Sequence, residues 1–112
     1  MILHNYLSNS GRDLIYEYIN SLPEAEKIDG YTVLQHMEKG ECDKILFKRW
    51  EKKVYEVYFQ KNNRVFYITV DKENIYLLHS CRKQKNKTEK KDANIVRKRA
   101  KELGNMLGRK FI

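Results

Sequence analysis

Two stretches in the middle of the chain alternate apolar and polar positions with a period of two. They are Val54 to Phe59 (VYEVYF) and Arg64 to Val70 (RVFYITV), and both are rich in β-branched and aromatic residues. Between them, Gln60-Lys61-Asn62-Asn63 reads as a tight hairpin. Asp71 to Asn74 is a second turn and leads into a third strand, Ile75 to Cys81. Three strands joined by short turns form an antiparallel meander. Upstream, Ile2 to Leu7 alternates weakly and suggests a first strand.

The period elsewhere is helical. Leu14, Ile15, Tyr18, Ile19 and Leu22 mark a first helix over Arg12 to Ser21, with Ser10 and Asp13 spaced as a cap. Pro23 restarts the chain in a second helix, whose apolar face is Ala25, Ile28, Tyr31, Leu34 and Met37 and which Gly40 ends. An irregular stretch containing Ile45, Leu46, Phe47 and Trp50 follows. From Thr88, a reasonable N-cap, a last helix carries Ala93, Val96, Ala100, Leu103 and Leu107. The predicted order is β-α-α-β-β-β-α. This is an α+β domain in which an antiparallel sheet packs against an N-terminal helical hairpin and a C-terminal helix.

At 112 residues the chain supports one core, so 1–112 is read as a single domain. No apolar run approaches a membrane span, and Met1 to Tyr6 lacks the pattern of a secretory signal. Two cysteines, Cys42 and Cys81, are too few for a disulfide scaffold; a cytoplasmic, membrane-free protein is expected. The net charge of +8 is concentrated. Arg82 to Lys101 holds ten basic residues, Arg82, Lys90 and Lys91 among them, against Glu89 and Asp92; the rest of the chain is neutral. Such a block attracts polyanions.

Metal chemistry finds no support in this pattern. His4, His36, His79, Cys42 and Cys81 are scattered without ligand-pair spacing, and neither metal nor cofactor is expected. Phosphate loops and nucleophile elbows are absent as well. Alternation in the Val54 strand puts Tyr55, Val57 and Phe59 on one face, suited to the core. Val54, Glu56 and Tyr58 lie on the other, which need not be buried. The third meander strand runs through His79 directly into Arg82-Lys-Gln-Lys-Asn-Lys-Thr88. One sheet edge therefore gathers Arg64, His79, Lys83, Lys85 and Lys87 around Glu56 and Tyr58. A basic groove with interleaved aromatics suits single-stranded RNA.

Four segments in register resemble a known family. Leu77 to Thr88 (LLHSCRKQKNKT), Val54 to Tyr58, Arg64 to Tyr67 and Tyr18 to Pro23 are similar to the signature strands and first helix of the RelE/HigB-type toxins, particularly their phage-derived Gp49-like branch. The resemblance covers residues 12 to 103. Tyr58 stands where the branch usually has Arg, Cys81 replaces Phe, Gln84 replaces Lys and Glu89 replaces Pro. The resemblance implies a RelE/ParE-like fold and the toxin of a type II toxin–antitoxin pair, a metal-independent endoribonuclease acting on mRNA in the ribosomal A site. It also implies an antitoxin partner, with the toxin alone monomeric. In that chemistry the 2′-OH attacks the adjacent phosphate. Arg64 and Lys87 would bind the phosphate, Lys83 or His79 would act as general base, and Tyr58 would stack on a base or orient the RNA. Glu56, Tyr58, Arg82, Lys85, Lys90 and Lys91 would complete the RNA-binding set. Two alternatives remain open: a catalytically inactive RNA- or antitoxin-binding domain, and a ParE-like gyrase inhibitor on the same fold.

Overall fold

The computed structural model describes residues 1–83 and 87–112. The elements in order are β1 (Ile2–Asn5), α1 (Leu14–Asn20), α2 (Glu24–Glu38), a 3-10 turn at Cys42–Lys44, β2 (Leu46–Glu51), β3 (Val54–Phe59), β4 (Asn63–Thr69), β5 (Asn74–Arg82) and α3 (Lys90–Leu107). They build one five-stranded sheet, ordered β1-β5-β4-β3-β2. The α+β class expected from the pattern is the class observed. No helix among the described residues is long and apolar enough to cross a membrane.

The buried face of α2 is not the one expected, since Ala25 and Ile28 are exposed and Glu26, Gly30 and Val33 are buried beside Leu34 and Met37; two details of the sheet also differ. The stretch read as irregular is a strand, β2, antiparallel to β3, so the meander has four strands. Its alternation is broken by a register shift between Arg49 and Glu51. The turn into β3 is Lys52-Lys53, with Lys52 at φ 54, a conformation usually signalled by Gly or Asn. The sheet is also mixed, because β1 runs parallel to β5. The α1–α2 hairpin carries the chain across one face to the far edge, and the four-strand meander returns it beside β1 in β1's own direction.

Caps account for the helix ends. Asp13, rather than Ser10, caps α1, accepting from the Tyr16 N–H at 2.8 Å. Pro23 precedes the first turn of α2, and Gly40 follows its end at φ 70. Thr88 does not cap α3, which starts one residue after Glu89; its hydroxyl instead accepts from the Trp50 indole at 3.1 Å.

Both faces of the sheet are covered. α1 and α2 lay Ile15, Ile19, Val33, Leu34 and Met37 on Val57, Val65, Tyr67, Ile75 and Leu77. α3 lays Val96, Ala100 and Leu103 on Val54, Phe66, Ile68 and Leu78, with Phe111 closing the end. Burying these side chains contributes roughly 1.5–3 kcal/mol each. α3 carries the apolar cluster only part of the way along the sheet. Beyond it, the same face continues as Glu56, Arg64 and Lys83.

Candidate active site

A β-bulge decides which side chains meet. From Asn63↔Arg82 to Phe66↔His79 the β4–β5 pairing keeps one register, and from Tyr67↔Leu77 onward it is shifted by one residue, with Leu78 unpaired. The extra residue puts Leu78 and His79 both toward α3 and reverses the alternation after them. His79, Cys81 and Lys83 thereby join Glu56 and Arg64 on the α3 face. Without the bulge they would point toward α1 and α2.

Glu56 is the centre of the cluster. It is fully buried, contrary to the expectation of an open face, because Lys83 folds over it. The Lys83 ammonium, itself 4% exposed, donates to Glu56 Oε1 at 2.8 Å. Arg64 Nε lies 3.2 Å from the same oxygen, close enough for an ion pair but not aligned for a hydrogen bond. Glu56 Oε2 is buried and has no hydrogen-bond partner among the described residues. A buried carboxylate is tolerated only where cations compensate it, and here two do. The Arg64 guanidinium also sits 4.6 Å from the centroid of the Tyr58 ring and donates to the Asn63 carbonyl at 3.1 Å. Tyr58 therefore supports Arg64 from below through its π-face.

Glu56 and Lys83 form the floor of a polar hollow of about 270 Å³, completed by Lys48, Trp50, Lys87 and Thr88. Lys48 lies opposite Glu56 in the β2–β3 ladder. Lys48 and Trp50 escaped sequence reasoning because β2 itself did; once the strand is recognised, the cross-strand position of Lys48 follows. Trp50 is fixed by Thr88 and by the Arg97 guanidinium 5.2 Å from its ring.

The other expected residues divide. His79 stands away from Glu56, against α3. Its Nε2 donates to Asp92 Oδ1 at 2.8 Å and its Nδ1 accepts from Arg99 at 3.3 Å. The neutral imidazole satisfies both contacts, and burial holds the His79 pKa below its ordinary value despite the pull of Asp92. Arg82 points to the opposite face, where it donates to Glu26 at 2.5 Å. That carboxylate also accepts from buried Asn63, which in turn accepts from Tyr18. Lys90 and Lys91 are exposed in the first turn of α3, and Lys87 is exposed at the rim of the hollow. Lys85 and Gln84 lie outside the described residues.

One further group has the composition of a metal site. Ligand atoms of His79, Cys81 and Asp92 lie within 4.8 Å of one another. The chemistry fits a cation poorly, since Arg99 already places a guanidinium against His79. Burial also pushes the Cys81 thiol up to about 12, far from the thiolate a metal would need.

What the cluster can do chemically is hold an anion. Cations at Lys48, Arg64, Lys83 and Lys87 surround a single carboxylate, leaving net positive charge over a hollow that admits a phosphate group. A search of curated proteins finds no match to the chain. A protein-family model does match over residues 17–101, which span β3, β4, β5 and every side chain of this cluster. The chain belongs to the family described as Phage derived protein Gp49-like (DUF891).

Proposed function

We propose that the chain is the toxin of a type II toxin–antitoxin pair and that it cleaves mRNA on the ribosome without a metal ion. The family is associated with RelE-like toxins, and it implies an antitoxin as partner. The observation that carries the reading is the buried Glu56 carboxylate. One of its oxygens is held by Lys83 and Arg64 and the other has no partner among the described residues, at the base of a lysine-lined hollow.

RNA carries its own nucleophile, the 2′-OH beside the scissile phosphate. As the RNA phosphate draws the Lys83 ammonium off the carboxylate, Glu56 Oε2 is uncovered and takes the proton of that hydroxyl. The 2′-oxygen bonds to phosphorus, and the crowded dianionic phosphorane is stabilised by Arg64, Lys83 and Lys87. The bond from phosphorus to the 5′-oxygen breaks, and Lys87, the exposed member, supplies a proton to the leaving oxygen. The products carry a 2′,3′-cyclic phosphate and a 5′-hydroxyl. In this scheme Lys83 acts as a charge stabiliser rather than a base. His79, both of whose nitrogens are engaged, ties β5 to α3. Tyr58 positions Arg64, and exposed Lys90 and Lys91 contact the RNA backbone.

A non-catalytic reading draws on one observation, the near-complete burial of Lys83 against Glu56. Induction of the chain in growing cells separates the readings. Growth arrest with RNA fragments ending in cyclic phosphate supports the nuclease. Arrest with DNA breaks indicates a gyrase poison, and unimpaired growth indicates an inactive domain.

A further inference from the structure

The sheet face opposite Glu56 carries a second basic, aromatic surface that the reaction does not use. At the edge of the α1–α2 core, buried Tyr67, half-buried Tyr55 and exposed Phe47 lie side by side across β4, β3 and β2. Their ring centroids are 6.3 Å and 6.0 Å apart. They line a hollow of about 460 Å³ together with Arg49, Lys52 and Lys53. No carboxylate among the described residues lines it. Among the described residues, none of these three cations forms an ion pair, whereas Arg12, Arg64, Arg82 and Arg97 each have an acidic partner. Phe47 is 41% exposed on the outermost strand, so its ring face is open to solvent.

We propose that this face is a second contact for single-stranded RNA. Bases stack on Phe47 and Tyr55, and backbone phosphates lie on Arg49, Lys52 and Lys53. Aromatic rings on an open sheet, flanked by unpaired cations, meet what unpaired nucleotides offer: a flat π-surface on each base and one negative charge per residue. Arg49 lines this hollow and also the one above Glu56. It marks the path by which one strand passes over the β2 edge from one face to the other. The inference rests on the nuclease reading in that the strand bound here is the one cut at Glu56, but binding alone tests it.

The test uses the full chain and fluorescein-labelled RNA bearing 2′-methoxy groups, which cannot be cleaved. One probe of about four nucleotides covers the Glu56 hollow, and one of about twelve reaches both faces. The long probe should bind more tightly than the short one. Phe47→Ala with Lys53→Glu should weaken the long probe about tenfold or more, the scale of one lost stack and one lost phosphate contact, and leave the short probe unchanged. A 5-iodouridine version of the long probe should crosslink wild-type protein at Phe47 or Tyr55, an outcome independent of how the variant folds. Equal affinity of the variant and the wild type, with crosslinks confined to the Trp50 side, overturns the proposal. So does a glutamate-rich peptide that binds this face while RNA binding ignores the substitutions, which would give the surface to a protein partner. Loss of long-probe binding in the variant upholds the proposal even where cells show no RNA cleavage; that combination sinks the nuclease reading alone.

Discussion

The buried pair of Glu56 and Lys83 makes a prediction that is independent of activity. Glu56 is fully buried and the Lys83 side chain is 4% exposed, with 2.8 Å between them. Glu56→Gln leaves the ammonium without its counter-charge in a site that solvent does not reach. Breaking one side of such a pair costs about 3–5 kcal/mol, a large part of the roughly 5–15 kcal/mol that holds a domain together. Lys83→Met should cost less than Glu56→Gln, because Arg64 remains 3.2 Å from the stranded carboxylate. Combining Glu56→Gln with Lys83→Met removes both charges, and its cost should fall short of the two single costs added by roughly 2 kcal/mol or more. Urea unfolding followed by circular dichroism, with unchanged m, measures all four corners of this cycle. Lys87→Met, at the exposed rim, serves as the control within about 0.5 kcal/mol of wild type. Single substitutions as mild as that control, or costs that simply add, would refute the burial argument.

Other outcomes follow from the same geometry. Arg64→Ala should lower cleavage by about two orders of magnitude, the scale of losing one transition-state charge stabiliser, measured as the rate of RNA decay after induction. The folded-state pKa of His79 is depressed, so the unfolded chain binds the extra proton first. Its contribution to stability is therefore complete above the ordinary pKa of 6.5 and is lost as pH falls through the lower native value. Thermal unfolding from pH 8 to pH 5 should show this loss, and His79→Gln should flatten that part of the profile. Gly104→Ala should destabilise by about 1–3 kcal/mol in urea unfolding, because its Cβ would lie 2.5 Å from the Arg109 carbonyl oxygen, where the C-terminal segment folds back on α3.

What the sequence revealed and concealed has a common physical origin. Periodicity is local, and it located β3, β4, β5 and all three helices, although a bulge reverses the alternation within β5 and the face it marked on α2 includes exposed Ala25 and Ile28. β2 was hidden by two local departures, the register shift near Arg49 and a left-handed Lys52 in place of a glycine. The meeting of Arg64 with Glu56 follows from strand alternation, whereas that of Lys83 depends on the bulge in β5, which no local pattern announces. The burial of Glu56 was not legible, since it depends on how Lys83 folds over the sheet. The separation of His79 from that group was equally out of reach. It depends on Asp92 and Arg99 arriving from α3 to engage both ring nitrogens. Arg82 adjoins Lys83 in sequence yet serves the opposite face, an ordinary consequence of strand alternation.

The claim that the Glu56–Arg64–Lys83 cluster cuts messenger RNA meets its most direct test in primer extension on abundant transcripts after brief induction of wild type and of Arg64→Ala. The account predicts new 5′ ends in phase with codons for wild type and near-absence of those ends for the variant at equal protein level. Wild type that produces no new ends, or a variant that produces the same ends at the same rate, would contradict it.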